Sequence, residues 1–165
     1  MEYRILGKTG LKVSRLGFGA MRLPSYEKDG KKIFDEEESI RMMHRAMELG
    51  VNYFDTAYPY HESMSEIAIG KALARHPRES FYLADKYPGH QIVETYNPAE
   101  IFEEQLKKCG VEYFDFYLMH NVDEEGWDDI VKLHIFEHLK EEKEAGRIRH
   151  LGASFHCSAE FLDKV

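Results

Sequence analysis

Short apolar runs and amphipathic stretches alternate along most of this 165-residue chain. Runs typical of buried strands lie at 15–19, 52–57, 81–87, 114–120 and 148–155. After each run, apolar residues recur three or four positions apart, which is typical of amphipathic helices. The predicted helices span 35–49, 63–76, 97–109, 128–145 and 159–165. A strand followed by a helix, repeated five times, predicts a parallel sheet with helices packed outside it.

Capping residues place several of the predicted helix ends. Asp35 precedes the first helix with Glu38 three residues later, the spacing of a capping box. Asn97 and Pro98 form a second helix start, an N-cap followed by proline at the first helical position. Ser63 or Ser65 opens the helix between them, which Pro77 ends.

Two segments lie outside the repeat. Residues 3–6 and 11–13 flank the turn-forming stretch 7–10 and predict a small β-hairpin. Residues 24–32 are polar, and we predict a loop there. The sequence contains no linker, no low-complexity stretch and no change of composition, so we expect residues 1–165 to form a single domain.

Two fold classes fit this element order, an open doubly wound sheet and a (β/α)₈ TIM-type barrel. The first strand ends in Gly17-Phe18-Gly19 and lacks the third glycine of a dinucleotide-binding fingerprint, so the barrel is favoured. A complete barrel takes about 250 residues, and five βα units make a partial one. We therefore expect either a homo-oligomer or a missing second half, because an open sheet leaves its edges unpaired.

Charge and composition narrow the class of protein. The net charge of −8 disfavours a nucleic-acid partner, since phosphates would be repelled on average. No apolar run approaches the roughly 20 residues that span a bilayer, and the N-terminal segment lacks the apolar core of a signal peptide. Cys109 and Cys157 are interpreted as reduced thiols. We expect a cytoplasmic protein with no membrane partner.

Polar residues gather at the carboxyl ends of the predicted strands. Asp55, Lys86 and His120 end three consecutive strands, and Tyr60 lies in the loop after the first of them. Each alone has an ordinary structural explanation, such as a helix cap, a solvated lysine or a core histidine. Together they favour a site, because active sites of parallel barrels lie at this edge. A lysine against an apolar strand also needs a counterion, and Asp55 is the natural one.

These residues resemble the motifs of the aldo-keto reductases. Residues 55–60, DTAYPY, resemble the family pattern D-x-A-x-x-Y, and residues 66–73, EIAIGKAL, resemble E-x-x-x-G-x-A-L. Lys86 and His120 match its other two catalytic positions, and residues 6–19 resemble its N-terminal hairpin and first strand. The resemblance covers the whole chain and implies a (β/α)₈ barrel that reduces aldehydes or ketones with NADP(H) or NAD(H).

The resemblance assigns Asp55, Tyr60, Lys86 and His120 as the catalytic residues. Tyr60 would donate the proton that the carbonyl oxygen gains when hydride adds to its carbon. A tyrosine is a weak acid at neutral pH, and a neighbouring ammonium such as that of Lys86 favours the phenolate. Asp55 would hold Lys86 charged and oriented, and His120 would contact the carbonyl oxygen.

The cofactor contacts implied by the resemblance are Ala20, Met21, Asp55 and Ser154. The family usually carries Ser-Asn after its fifth strand, whereas here Ser154 is followed by Phe155 and then by a histidine. This variant resembles a bacterial branch whose longer members carry a C-terminal iron–sulfur segment. The contact that the asparagine amide usually makes is therefore missing.

Two other functions stay open on the sequence alone. The chain could be a truncated barrel that serves a structural or interaction role and keeps the four residues by descent. It could also be a metal-dependent hydrolase that uses His61 and Glu62 with His120 and Asp123. We expect no metal, because a lysine at the strand end would repel the ion. Tyr58, His61 and Glu62 are assigned no chemistry.

Overall fold

The computed structural model describes residues 1–89 and 97–165. The strands are β1 (Tyr3–Ile5), β2 (Lys12–Ser14), β3 (Phe18–Gly19), β4 (Ser25–Lys28), β5 (Lys31–Phe34), β6 (Tyr53–Asp55), β7 (Tyr82–Tyr87), β8 (Phe114–Val122) and β9 (Ile148–Phe155). The α-helices are α1 (Glu36–Glu48), α2 (Met64–Leu73), α3 (Pro98–Cys109), α4 (Trp127–Lys132), α5 (Ile135–Glu144) and α6 (Ala159–Leu162). Short 3₁₀ turns occupy Ala20–Arg22 and Arg78–Ser80.

Five strands form one parallel sheet in the order β3-β6-β7-β8-β9. Each strand therefore lies beside the preceding strand of the sheet, with helical segments in the connections between them. This is the arrangement that the sequence predicts for part of a barrel. The core lies between the sheet and its helices, and among its largest fully buried side chains are Tyr87, Tyr117, Phe54, Phe102 and Phe114.

The N-terminal hairpin is confirmed and is tied to the first long connection. β1 and β2 pair antiparallel with Tyr3 opposite Ser14. The Tyr3 hydroxyl donates to the carbonyl oxygen of Gly50 at 2.9 Å. Gly50 has φ +90°, and a Cβ there would lie 2.8 Å from the Tyr3 hydroxyl. Gly50 therefore ends α1 and leaves room for the Tyr3 side chain of the hairpin.

The predicted caps at Asp35 and Asn97 are present, whereas Ser63 precedes α2 without a capping hydrogen bond. The Asp35 carboxylate accepts from the backbone N–H of Glu38 at 3.0 Å and caps α1. The Asn97 side chain accepts from the backbone N–H of Ala99 at 3.1 Å and caps α3. Gly110, with φ +64°, ends α3. These ends were predictable because each is specified by residues within a few positions of one another.

The loop predicted for residues 24–32 is wrong, because β4 and β5 form an antiparallel hairpin there. The turn residues Asp29 and Gly30 have φ +53° and +72°. An Asp-Gly pair with both φ values positive is the usual two-residue hairpin turn, so the sequence did hold the signal. The flanking strands are mostly exposed and polar, which hid the apolar alternation of a strand.

The single long helix predicted between 128 and 145 is also wrong. It is two helices, α4 and α5, separated by Leu133 and His134. His134 has φ +51°, which breaks the helical path. The apolar positions stay in register across the break, with Ile130 and Leu139 both buried, so periodicity alone could not reveal it.

His61 connects the β4–β5 hairpin region to the loop after β6. Its Nε2 accepts from the backbone N–H of Leu23 at 2.9 Å, and its ring lies 5.0 Å from that of Phe34. Burial of the ring, followed by the nearby Lys32 ammonium, lowers the pKa of His61 below its ordinary value of 6.5. The neutral imidazole is therefore the form that holds the hairpin.

Helices α2 and α3 approach each other at Gly70. A Cβ at this position would lie 2.4 Å from the carbonyl oxygen of Lys108 and 2.9 Å from the backbone of Cys109. Backbone atoms cannot rotate away as a side chain can, so only glycine allows this separation.

None of the helices within residues 1–89 and 97–165 has both the length and the apolar character that a bilayer crossing requires.

Replacing Gly70 with alanine should destabilise the protein by about 1–3 kcal/mol, because α2 and α3 must move apart. Gly19→Ala is the matched control, since a Cβ at Gly19 meets no atom within 4 Å. Urea unfolding followed by circular dichroism measures both variants. Equal midpoints for Gly70→Ala and the wild type would contradict the helix contact described above.

The free energy of unfolding should fall as the pH drops below about 6.5. The lowered pKa of His61 means that the unfolded chain binds the proton more readily than the folded protein. Its stabilising contribution is therefore complete above 6.5 and is lost as the pH falls through the folded-state pKa. His61→Gln, whose amide oxygen still accepts from Leu23, should show a weaker pH dependence in urea titrations. An identical dependence in both proteins would count against this role.

Candidate active site

An ion pair joins the ends of the two central strands. Lys86, near the end of β7, places its Nζ 2.6 Å from the carboxylate of Asp55, the last residue of β6. The same ammonium donates to the carbonyl oxygen of Thr56 at 2.6 Å. Lys86 is only 6% exposed, whereas the Asp55 side chain is 32% exposed. The buried Lys86 ammonium therefore has a counterion, and a protein tolerates a buried charge under that condition.

Tyr60 lies in the loop that leads from β6 to α2. The loop turns sharply, with the N–H of Tyr60 bonded to the carbonyl of Ala57 at 3.1 Å. The next three residues, 61–63, all have positive φ and carry the chain into α2. This path brings the Tyr60 ring over the ion pair, with its centroid 5.1 Å from the Lys86 Nζ. The expected closeness of these two side chains is therefore present.

His120 lies on β8 and contacts Tyr60. The two rings meet edge to face, with centroids 5.6 Å apart and planes at 81°. The pairing of β8 with β9 is irregular between Met119 and Val122, and Asn121 has φ +54°. Irregular strand pairing of this kind re-aims a side chain at the edge of a sheet. The structure thus brings Asp55, Tyr60, Lys86 and His120 together.

Ser154, on β9, contacts this irregular part of β8. Its Oγ accepts from the backbone N–H of Asn121 at 2.8 Å. Its hydroxyl donates to the carbonyl oxygen of Met119 at 3.5 Å, the limit of a hydrogen bond. Ser154 therefore bonds to the irregular part of β8 next to His120 through one short accepted bond and one long donated bond. The sequence did not predict this contact between Ser154 and β8.

Ala20 and Met21 follow the end of β3, where Gly19 pairs with Asp55. Ala20 is fully buried, and its carbonyl accepts from the Ser65 hydroxyl at 3.2 Å. Met21 is 58% exposed. Of these two expected cofactor contacts, Met21 has its side chain open to an incoming molecule, whereas Ala20 is buried and its carbonyl is already bonded to Ser65.

Two ligands of the alternative metal site, His61 and Asp123, make other contacts. His61 Nε2 accepts from Leu23, and the Asp123 carboxylate accepts from the N–H of Gly126 at 2.9 Å. Across the described ranges, no three His, Cys, Asp or Glu side chains are arranged to hold a metal ion. Tyr58, one of the residues assigned no chemistry, donates its hydroxyl to Glu104 on α3 at 3.2 Å. The described contacts of Tyr58 and His61 are therefore structural.

A second polar cluster lies on the other side of β7, among the helices. Glu66, Asp85 and Gln105 are fully buried there. The Gln105 amide donates to Glu66 at 2.8 Å and to the carbonyl oxygen of Lys86 at 3.1 Å, and Tyr117 donates its hydroxyl to Gln105. The Asp85 carboxyl accepts from the N–H of Lys86 at 2.8 Å. The sequence reasoning missed this cluster entirely.

The two carboxyl groups of this cluster resist ionisation. Burial, followed by the neighbouring Glu66 carboxyl, raises the pKa of Asp85 well above its ordinary value of 3.8. Burial also raises the pKa of Glu66, against the opposing effects of Gln105 and Lys108. Asp85 next to Lys86 on an otherwise apolar strand was the available signal, since adjacent strand residues face opposite sides. It pointed to polar groups on both faces.

Comparison with known proteins agrees with this geometry. The model of the aldo/keto reductase family matches residues 15–165. Two similar relatives are the L-galactose dehydrogenase of Arabidopsis thaliana, 31% identical over 160 residues, and the aldo-keto reductase YhdN of Bacillus subtilis, 32% identical over 164 residues. The matches cover 92% and 93% of this chain but 48% and 47% of the relatives. The chain spans about half the length of these relatives.

A solved structure supports the same conclusion. The holo form of an aldo-keto reductase from Bacillus halodurans superposes with a TM-score of 0.78 at 30% identity, over 99% of this chain and 53% of that one. The predicted fold, a partial α/β barrel of this type, is thereby confirmed. Given the family match over most of its length, the chain belongs to the aldo/keto reductase family.

Proposed function

We propose that this protein reduces an aldehyde or ketone to an alcohol by hydride transfer from NADPH or NADH, with Tyr60 as the proton donor. The observation that carries the proposal is the position of the Lys86 ammonium. It lies 2.6 Å from the Asp55 carboxylate and 5.1 Å from the centroid of the Tyr60 ring, which His120 contacts. Family membership makes an oxidoreductase the first expectation.

The ion pair prepares Tyr60 to release a proton. When the phenol gives its proton to the carbonyl oxygen, negative charge develops on the phenol oxygen. The Lys86 ammonium stabilises that charge, because an opposite charge nearby favours the ionised form. Asp55 and the Thr56 carbonyl hold the ammonium in place with two 2.6 Å hydrogen bonds. The Lys86 ammonium is therefore oriented before the substrate arrives, and little reorganisation is needed during the reaction.

His120 acts on the same substrate oxygen. Its edge-to-face contact with Tyr60 means that one small group can touch both side chains. An imidazole N–H directed at the carbonyl oxygen stabilises the charge that forms there as hydride adds to the carbon. Two donors converging on one oxygen also fix the direction in which the carbonyl carbon points.

The residues around the site fit a nicotinamide. When bound, the cofactor supplies the hydride. Ser154, whose Oγ accepts from Asn121 and donates only a long 3.5 Å bond to Met119, can donate its hydroxyl proton to a carboxamide oxygen instead. Met21 offers an exposed apolar side chain beside the strand end that carries Asp55. The Bacillus halodurans relative is described as a holo form, which supports cofactor binding in this fold.

The sheet has two outer strands, β3 and β9, each paired on one side only within the described residues. Exposed apolar side chains lie on β9 and around it, including those of Phe136, Phe155 and Val165. We therefore keep self-association of this chain as a prediction, since an unpaired apolar edge invites pairing. Sedimentation equilibrium should give the mass of a dimer or a larger species. A well-folded monomer at all concentrations would contradict this.

Tyr60→Phe should lower kcat for aldehyde reduction by about 100- to 10,000-fold, the usual worth of a positioned proton donor. Cofactor affinity should change little, because the phenol ring remains. Oxidation of NADPH in the presence of a panel of simple aldehydes measures the first effect, and quenching of protein fluorescence by NADPH measures the second.

Tyr58→Phe is the matched control, two residues away in the same loop. It removes a hydroxyl that donates to Glu104 on α3, away from the ion pair, so kcat should stay within about threefold of the wild type. Equal rates for Tyr60→Phe and the wild type would remove Tyr60 from the mechanism. A chain that binds neither NADPH nor NADH at millimolar concentrations would favour the structural role instead.

A further inference from the structure

On the side of β6, the main chain of Lys86 is held mainly by side chains. β6 pairs with β7 only as far as Ala84, and beyond it the chain after β6 reaches the Lys86 carbonyl only through a 3.5 Å bond from the N–H of Tyr58. On its other side β7 stays paired with β8, with Lys86 opposite Leu118. The Lys86 N–H donates to the Asp85 carboxyl at 2.8 Å, and its carbonyl accepts from the Gln105 amide at 3.1 Å. On the other face of the strand, the ammonium of the same residue reaches Asp55.

The charges in this buried cluster do not balance unless a proton is added. Two carboxyl groups, Asp85 and Glu66, lie together with no exposure to solvent. The cation that faces them from α3 is Lys108, whose Nζ lies 3.3 Å from Glu66 and 2.6 Å from Glu104. The Lys86 ammonium also acts on Asp85, but it is already bound to Asp55 at 2.6 Å. Two buried carboxylates that share the Lys108 ammonium with Glu104 would therefore leave an excess of buried negative charge, which is costly. One proton on the pair removes that excess.

A hydrogen-bond acceptor in the cluster also lacks its donor. Glu66 Oε2 is buried without a hydrogen-bond partner among the described residues, since the Lys108 contact at 3.3 Å is an ion pair outside hydrogen-bond geometry. A proton carried by Asp85 supplies the donor, because the two carboxyl side chains are within hydrogen-bonding reach. The other groups facing the pair are Tyr117 and the Cys109 thiol, and burial raises the pKa of both well above its ordinary value.

We propose that Asp85 and Glu66 share one proton and, together with Gln105, act as positioning residues for Lys86. Asp85 on β7 and Gln105 on α3 bind the two main-chain groups of Lys86, and Glu66 on α2 accepts from the same Gln105 amide. The direction of the ammonium toward Asp55 and Tyr60 then depends on this network as well as on the ion pair. The catalytic part of this inference rests on the proposed function, but the shared proton and the position of Lys86 do not.

The shared proton is tested by infrared spectroscopy of the intact chain. At neutral pH, the wild type should show the C=O stretch of a protonated carboxylic acid. Asp85→Asn should abolish it, because the remaining Glu66 carboxylate keeps Lys108 as its counterion. Absence of the band in the wild type would overturn the shared proton, as would its survival in Asp85→Asn.

The positioning role is tested by comparing substitutions at one site. Asp85→Asn keeps an oxygen acceptor for the Lys86 N–H and an N–H donor for Glu66, so it should preserve the wild-type ¹³Cε signal of Lys86 and hold kcat within about threefold. Asp85→Ala leaves the Lys86 N–H without its acceptor, so it should shift that signal. In the enzyme assay it should lower kcat at least about tenfold with little change in KM, as misplacement of a catalytic group does.

Asp115→Asn is the control for a general loss of stability. Asp115 is equally buried on β8 and pairs with Arg78 at 2.6 Å. Its substitution should destabilise the fold while leaving the Lys86 signal in place. If Asp85→Asn and Asp85→Ala disturb Lys86 equally, or if Asp115→Asn does so as much, the positioning role is wrong. If the infrared and lysine signals behave as expected but no variant reduces a carbonyl, the proposed function fails and the network stands.

Discussion

The structure depends on one ion pair, the contact between the Lys86 ammonium and the Asp55 carboxylate. It forms only because Asp55 pairs in register with Ala84, two residues before the lysine on the same face of β7. A slip of one residue would turn the ammonium into the helix layer and leave both charges unpaired. The register of the two central strands and the geometry of the site are therefore a single constraint. Removing either partner would leave the other charge without its counterion.

The face of β7 opposite the ion pair has its own polar organisation. Asp85 points toward the helices and Lys86 away from them, so neighbouring residues place a cluster of buried carboxyl groups and a charged site on opposite sides of one strand. Gln105 connects the two sides, because its amide contacts both Glu66 and the Lys86 carbonyl. Hydrogen bonds from α2 and α3 thus reach the main chain of Lys86, whose ammonium lies beside the Tyr60 ring.

What the sequence predicted well was specified locally or by repetition. The caps at Asp35 and Asn97 depend on residues three or fewer positions away, and the strand ends at Asp55 and Lys86 follow from the repeated strand–helix unit. What it missed depends on contacts between distant segments. Nothing in the sequence pairs Glu66 with residue 85, nor the Ser154 hydroxyl with the bulge of β8, because both contacts form only once the sheet has assembled. The β4–β5 hairpin is the exception, since its Asp-Gly turn was visible.

The four proposed catalytic side chains come from three adjacent strands and one loop. Asp55 and Lys86 lie on β6 and β7, His120 lies on β8, and Tyr60 enters from the connection between β6 and α2. Their mutual distances are therefore set by neighbouring strand pairs, whatever completes the sheet beyond β3 and β9. Loops at the same edge can vary without moving these residues, because no loop outside 56–63 carries one of them. The proposed proton chemistry therefore depends on three strands and the loop 56–63, and we expect the other loops at this edge to determine the substrate.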